Sequence, residues 1–283
     1  MRKRLLRIFS TIALLWSVFV ALPAGASALE RLFVTKPEPL PFFAQHAAQS
    51  EPVNHEQWQA WLDRFVVANH TSGIHRVRYA AVDGPGKMQL DSYLRALQAI
   101  DPRQLSRNEQ LAYWINLYNA ATVQVIIKHP GVKSIREIKS GIFSVGPWKL
   151  PLLKVAGQTL SLDDVEHRIV RPLFHDRRVH FALNCASLGC PDLAAQAYQG
   201  ATLDAMLNAQ QLAYLSHPRA IRLDKNELVL SSLFQWYRED FAADEAGAIA
   251  YLAAHAPPTV AARLRGFHGA VSYAYDWDLN AAP

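Results

Sequence analysis

Apolar positions recur along the chain at two periods, and these divide it into elements. Trp58, Trp61, Leu62 and Phe65 fall at i, i+3, i+4 and i+7, the spacing of an amphipathic helix. Tyr93, Leu94 and Leu97 mark a second helix, between Asp83-Gly84-Pro85-Gly86 and Asp101-Pro102. Ser106-Arg107-Asn108-Glu109 has the form of a capping box, with a hydroxyl and a carboxylate three positions apart. It predicts a long helix to Lys128, stopped by His129-Pro130-Gly131. Ser134-Ile135-Arg136-Glu137 opens a short helix in the same way. Residues 148–155 and 158–160 read as a hairpin around Ala156-Gly157. Ser161 then caps a helix through Asp163, Glu166, His167, Ile169, Val170 and Arg171, stopped by Pro172.

Val179, Phe181 and Leu183 alternate with His180, Ala182 and Asn184, which predicts a strand with unlike faces. Ser187 and Gly189 break it into a turn, and Pro191-Asp192 suits a helix start. A helix follows from Leu203 to Leu215, then a hairpin from Ala220–Leu223 to Leu228–Leu230. An aromatic helix spans Leu233 to Phe241, another runs from Ala246 to Ala254 before Pro257-Pro258, and a last strand spans Val271 to Trp277. No internal repeat or heptad run is present. The elements predict an α+β fold: a helix-rich single domain whose small, mainly antiparallel sheet carries the stretch from His180 to Pro191.

The ends of the chain change the charge balance. Arg2, Lys3, Arg4 and Arg7 precede an apolar run from Ile12 to Leu22, and Ala26-Ser27-Ala28 fits a small-residue cleavage site. Residues 1–28 are therefore expected to be a signal peptide; the competing reading is an uncleaved anchor, although the run is shorter than the ~20 residues of an ordinary span. After cleavage no transmembrane span is expected, and the location is periplasmic or secreted. Pro37, Pro39, Pro41 and Pro52 make residues 29–53 an extended lead-in to a single domain over 54–283. Cleavage takes four basic residues from 29, leaving 25 against 24 acidic ones, a net charge of +1 rather than +5. Nucleic acid is not an expected partner at that balance. The expected partner is an envelope substrate or protein of unknown identity.

The chemistry gathers where the strand meets the turn. His180, Asn184, Cys185 and Cys190 lie within eleven positions, and the chain has only 2 cysteines. Three readings stand. In the first, Cys185 is a nucleophile and His167 its base, oriented by Glu166 or by Asp163/Asp164. Strand parity would point His180 away from Cys185, and a helix start would lower the thiol pKa of Cys190. In the second, the cysteines form a disulfide, structural or redox-active. In the third, they bind metal with one or two of His167, His175 and His180, although no second paired motif supports it. Asp164, His167 and Arg171 share one face if the segment is α-helical; an exposed ion-pair ladder has the same pattern. Asn116 and Asn119 lie amid Trp114, Ile115 and Leu117, either capping a neighbouring loop or touching substrate. There is no phosphate-binding glycine loop, no paired zinc-helix histidines and no Gly-x-Ser-x-Gly elbow, so no cofactor and no metal is assigned.

Tyr113-Trp114-Ile115-Asn116-Leu117-Tyr118-Asn119-Ala120, Val165-Glu166-His167-Arg168-Ile169-Val170-Arg171 and the stretch from His180 to Pro191 together resemble the family called domain of unknown function 547. The resemblance is best over residues 90–217, and Tyr275-Asp276-Trp277-Asp278-Leu279-Asn280 is similar to a tail of its bacterial members. It implies that Asn116, Asn119, Glu166, His167, Arg171, His180 and Cys185 form one signature. Some plant members keep the first cysteine and carry serine at the second, which implies more for Cys185 than for Cys190. The constellation is similar in kind to papain-like and transglutaminase-like folds, with histidine and cysteine in the reverse order. The leading expectation is a cysteine-dependent hydrolase or acyl transferase acting on an amide or thioester, with Asn116, Asn119 or Asn184 polarising the carbonyl. The alternatives are a binding module framed by Arg171, His180 and the asparagines, and a metal-site protein.

Overall fold

A computed structural model of the chain describes residues 38–139, 141, 145–224 and 227–283. The expected signal peptide and the start of the lead-in lie outside the described residues.

The spine is helix α3 (Arg107–Lys128), following α1 (Glu56–Phe65) and α2 (Gly84–Gln98). Its run from Glu109 to Val123 is buried on every side, so it is packed around rather than amphipathic. Trp114 meets Phe43 edge-on at 5.0 Å, and Trp58 stacks on Trp61 and Tyr93. Full burial of each such ring contributes up to roughly 3 kcal/mol. The helix starts where expected, but Ser106 makes no side-chain cap. Glu109 turns outward instead and accepts from the backbone N–H groups of Val53 and Gly200, each at 2.9 Å. That contact needs glycine at 200, since a Cβ there would sit 2.3 Å from the Glu109 carboxylate. The lead-in is held alongside, with Gln110 Nε2 donating to the carbonyls of Phe43 and Gln45.

Strands β1 (Val66–Val67) and β2 (Arg76–Val77) form one antiparallel pair, and β3 (Leu153–Val155) and β4 (Gln158–Leu160) a second. The segment after β4 departs from the expected α-helix. Asp164–Val170 is a π-helix, continued by the α-helical turn α4 (Arg171–Phe174), so Pro172 does not stop it. Proline has no N–H and its ring crowds the carbonyl four residues back. The wider turn relieves this, and the Arg168 carbonyl accepts from the Leu40 N–H at 2.8 Å. Ser161 and Asp164 supply the reciprocal cap, Ser161 N–H donating to the carboxylate at 2.9 Å and Asp164 N–H to the hydroxyl at 3.1 Å.

The expected strand at residues 179–184 is not one. Arg177–Phe181 is a 3-10 helix, and the rest is irregular. The apolar positions do not line one face: they are divided among different cores. Val179, Ala182 and Leu183 join the large cluster around α3, Phe181 joins a second cluster with Tyr214, Phe234 and Phe241, and Ala186 joins a third with Val125 and Ile135. The central stretch is thus a seam between cores. Its link to a strand-like neighbour is the bridge from Ser187 to Leu279.

Helix α5 (Leu203–Ser216) follows. Strands β5 (Ile221–Asp224), β6 (Glu227–Ser231) and β7 (Ala270–Ala274) form a sheet in which β5 and β6 are antiparallel and β6 and β7 parallel. The expected aromatic helix is two short turns, α6 (Leu233–Trp236) and α7 (Arg238–Phe241). After α8 (Glu245–His255), Pro258 opens a further helix, α9 (Pro258–Arg265), because proline at the first helical position loses no needed donor. The architecture is a helix-rich α+β domain with small sheets. No helix among the described residues is long and apolar enough to cross a membrane.

Candidate functional site

The loop after the 3-10 helix is pinned from outside. Asn119 Nδ2 donates to the Ala182 carbonyl at 2.9 Å, and its oxygen accepts from Asn184 N–H at 2.9 Å. Asn184 Nδ2 donates to the Pro191 carbonyl at 2.7 Å, and its oxygen accepts from Ala186 N–H. Asn116 clasps the Tyr198 backbone with both its oxygen and its nitrogen. All three amides are buried and bonded at both ends, so Asn119 and Asn184 frame the loop and Asn116 holds the Tyr198 segment. Further along, Leu188 and Gly189 N–H donate to the Asp278 and Asp276 carbonyls at 2.8 Å each. A Cβ at Gly189 would sit 2.8 Å from the Asp276 backbone nitrogen, so the tail closes directly onto the loop. Asp192 is fixed by the buried Arg219 at 2.8 Å.

Inside this frame stand the two sulfurs, both free thiols. Cys185 Sγ lies 2.8 Å from Cys190 Sγ, 3.1 Å from Ser187 Oγ and 3.1 Å from Tyr275 Oη. The Ser187 backbone N–H also faces it. Burial, the largest influence, pushes the Cys185 thiol up, but these donors together outweigh it and hold the group below the usual thiol range. Cys190 moves the other way: burial, then the neighbouring Cys185 sulfur, push it well up. The Tyr275 phenol is also pushed well up, first by burial and then by the cysteines, so it remains a donor. Cys185 is half-buried, whereas Cys190 is 4% exposed. Ala186, directly after Cys185, has φ 62°, a left-handed conformation that costs about 1 kcal/mol in a residue with a Cβ.

The residues of the π-helix form a second cluster. Arg171 Nη1 donates to His167 Nδ1 at 3.1 Å, which puts the ring hydrogen on Nε2, 3.8 Å from Asp163. Arg171 Nε donates to Asp240 at 2.6 Å, and His180 Nε2 donates to the same carboxylate oxygen at 2.7 Å. Burial pushes the Asp240 carboxyl up, but His180 and Arg171 more than reverse this and hold it well below the usual range. Burial keeps His180 low despite Asp240. Glu166 accepts from Tyr118 Oη at 3.0 Å, and, after burial, its charge raises the nearby Tyr237 phenol, on which His180 stacks at 4.3 Å. Its own burial favours protonation, but His167, His180 and Arg171 hold it below the ordinary carboxylate range. Asp163 is raised, chiefly by burial. Asp164 does not share the His167 face in this wider helix; it pairs with Ser161 and with Arg168 at 2.9 Å.

The expected Cys185–His167 pair is therefore not formed. No hydrogen bond or ion pair joins these two among the described residues, and the His167 lone pair is taken by Arg171. The clusters still share a border: the phenols of Tyr118 and Tyr237 feel the negative charge of both Glu166 and Cys185. Among the described residues no group of three or more His, Cys, Asp or Glu side chains could hold a metal ion. His175 ends α4 in a left-handed conformation, exposed, in a cleft with Arg177, Tyr251 and His255 that excludes both cysteines. Sequence reasoning missed Asp240, Tyr118 and Tyr237 as site residues. It quoted Tyr275 only within the tail, where its closeness to the thiol carries no local signal.

Residues 102–215 match the family model described as "Protein of unknown function, DUF547". No curated protein and no solved structure matches the chain.

Proposed function

We propose, on the premise that residues 102–215 match the DUF547 family model, that Cys185 is the nucleophile of a cysteine-dependent acyl transferase or hydrolase. One observation carries the reading: a half-buried sulfur with Cys190 Sγ, Ser187 Oγ and Tyr275 Oη all within 3.1 Å, contacts that favour its charged form. The thiolate, not the thiol, is the attacking species. Cys185 Sγ adds to the substrate's carbonyl carbon, and the bond to the leaving group breaks as the acyl-sulfur bond forms. Water or a second nucleophile then takes the acyl group.

The donors favour one substrate class. Hydroxyls and a backbone N–H stabilise charge but are too weakly acidic to protonate a departing amine. A thioester releases a thiolate, which needs no proton, so a thioester fits this site better than an amide. His167 acts here as part of the framework that holds Arg171 and Glu166, not as the base of Cys185. The basic start and apolar run of residues 1–28 support an envelope location, with a substrate found there.

A second reading has its own support. Arg171, His180 and the asparagines form a buried polar framework, which a non-catalytic binding module would also need. The two readings part on an aryl thioester given to the reduced protein. An acyl adduct at Cys185, absent from Cys185→Ser, supports acyl transfer. No adduct, with Cys185 alkylated no faster than a model thiol, overturns it in favour of the binding module.

A further inference from the structure

We propose that Cys185 and Cys190 are a reversible thiol–disulfide couple driven by peroxide, a modification site in which Cys185 is oxidised and Cys190 resolves it. The proposal stands on the thiol pair alone and does not require acyl transfer.

Geometry comes first. A disulfide needs sulfurs about 2.05 Å apart. The two sulfurs lie 2.8 Å apart as free thiols, so closure needs a shift of under ~1 Å. The Cys185 N–H already points at Cys190 Sγ, at 2.9 Å. The spacing is set from outside the loop, by Asn119 on one side and by the Asp276 and Asp278 carbonyls on the other. These anchors lie outside the sulfur pair, so the bond can form and open without dismantling the loop.

The two thiols are also unlike in the way such a couple requires. The attacking sulfur must be reachable and charged, and the resolving sulfur close and protected. Cys185 is half-buried and lies 3.1 Å from both Ser187 Oγ and Tyr275 Oη, with the Ser187 hydroxyl in turn donating to Tyr275. Cys190 is buried and keeps its hydrogen.

The chemistry balances with hydrogen peroxide as oxidant. The Cys185 thiolate attacks one peroxide oxygen; the S–O bond forms, the O–O bond breaks, and the leaving hydroxide takes a proton to become water. Cys190 sulfur then attacks Cys185 sulfur; the S–S bond forms, the S–O bond breaks, and hydroxide leaves as water with the Cys190 proton. The two electrons lost by the sulfur pair are those gained by the peroxide. A small dithiol reverses the result. The oxidised form has no thiolate at Cys185, so any reaction that needs one stops, while the sulfur is spared irreversible sulfinic acid.

The test treats the reduced full chain with one equivalent of hydrogen peroxide, alkylates, and measures intact mass without reductant. Wild type should lose two hydrogens, take no alkyl group, and recover both thiols with dithiothreitol. Cys190→Ser should instead hold a sulfenic acid that dimedone traps, then gain oxygen. Tyr275→Phe should slow wild-type-like closure severalfold by withdrawing a thiolate donor. Wild type that gains oxygen as Cys190→Ser does, links to a second copy, or stays unmodified in excess peroxide overturns the proposal; because these readouts are on wild type, a variant that fails to fold leaves it falsifiable. Acylation of the reduced protein without disulfide closure would fail this proposal alone. Closure without acylation would fail only the acyl-transfer reading.

Discussion

The thiol loop and the histidine helix carry equally suggestive residues, yet the fold treats them oppositely. In the π-helix the functional groups satisfy one another: Arg171 binds His167 and Asp240, His180 shares Asp240, and Glu166 is closed off by Tyr118 and Tyr237. In the loop, the backbone is satisfied by amides, Asn119 from outside and Asn184 from within, and Cys185 sulfur is left half-buried among donors. A reactive residue type is thus a poor guide by itself. What matters is whether its own bonding capacity is already used.

Breaking the helix cluster should have the largest effect. Arg171→Ala removes the cation from a buried set and leaves Asp240 with His180 and Glu166 with Tyr118; its side chain is only 8% exposed. The expected cost is about 3–5 kcal/mol, read by denaturant melts. Unfastening the loop comes next. Asn119→Ala leaves the Ala182 carbonyl and Asn184 N–H unpaired in the core, at an expected cost of about 2–3 kcal/mol. Cys185 alkylation should also lose its advantage over a model thiol, because the donors no longer line up.

Acid should loosen the framework in a definite window. His55 donates to Tyr93 and accepts from Asn116, and burial lowers its pKa from 6.5 to about 4. His180 is lowered in the same direction. The unfolded chain therefore binds more protons than the folded one below pH 6.5, so stability present above that pH declines as pH falls. His55 alone should contribute on the order of 3 kcal/mol of loss by about pH 4. Melts across that range should show the decline in wild type and a shallower one in His55→Gln; equal slopes would refute it.

Much of the scaffold was legible in the sequence because its signals are local. The start of α3 at Ser106 and its stop at His129-Pro130 follow from neighbouring residues, and the family resemblance over three motifs matches residues 102–215. The capping box itself failed because Glu109 found partners at Val53 and Gly200, far away in sequence. The π-helix was illegible because what steadies it past Pro172 is an N–H from Leu40. The strand at 179–184 was misread because alternation implies one shared buried face, and here Val179 and Phe181 enter different cores while Ala182 and Leu183 enter the same one. The site was legible in its cysteines and asparagines. Its electrostatics were not, since Tyr275 and Asp240 arrive from 90 and 60 positions away.

The smallest structural change gives the most direct test of the central claim, that hydrogen-bond donors rather than His167 lower the pKa of the Cys185 thiol. The measurement is the pH–rate profile of iodoacetamide alkylation of reduced wild type, Tyr275→Phe and His167→Ala, with thermal melts on each. Wild type should inflect below the unperturbed thiol value of about 8.5, Tyr275→Phe should move toward it, and His167→Ala should lose some stability yet keep the wild-type inflection. An inflection that moves with His167→Ala and ignores Tyr275→Phe would contradict the account and return the thiol to the histidine.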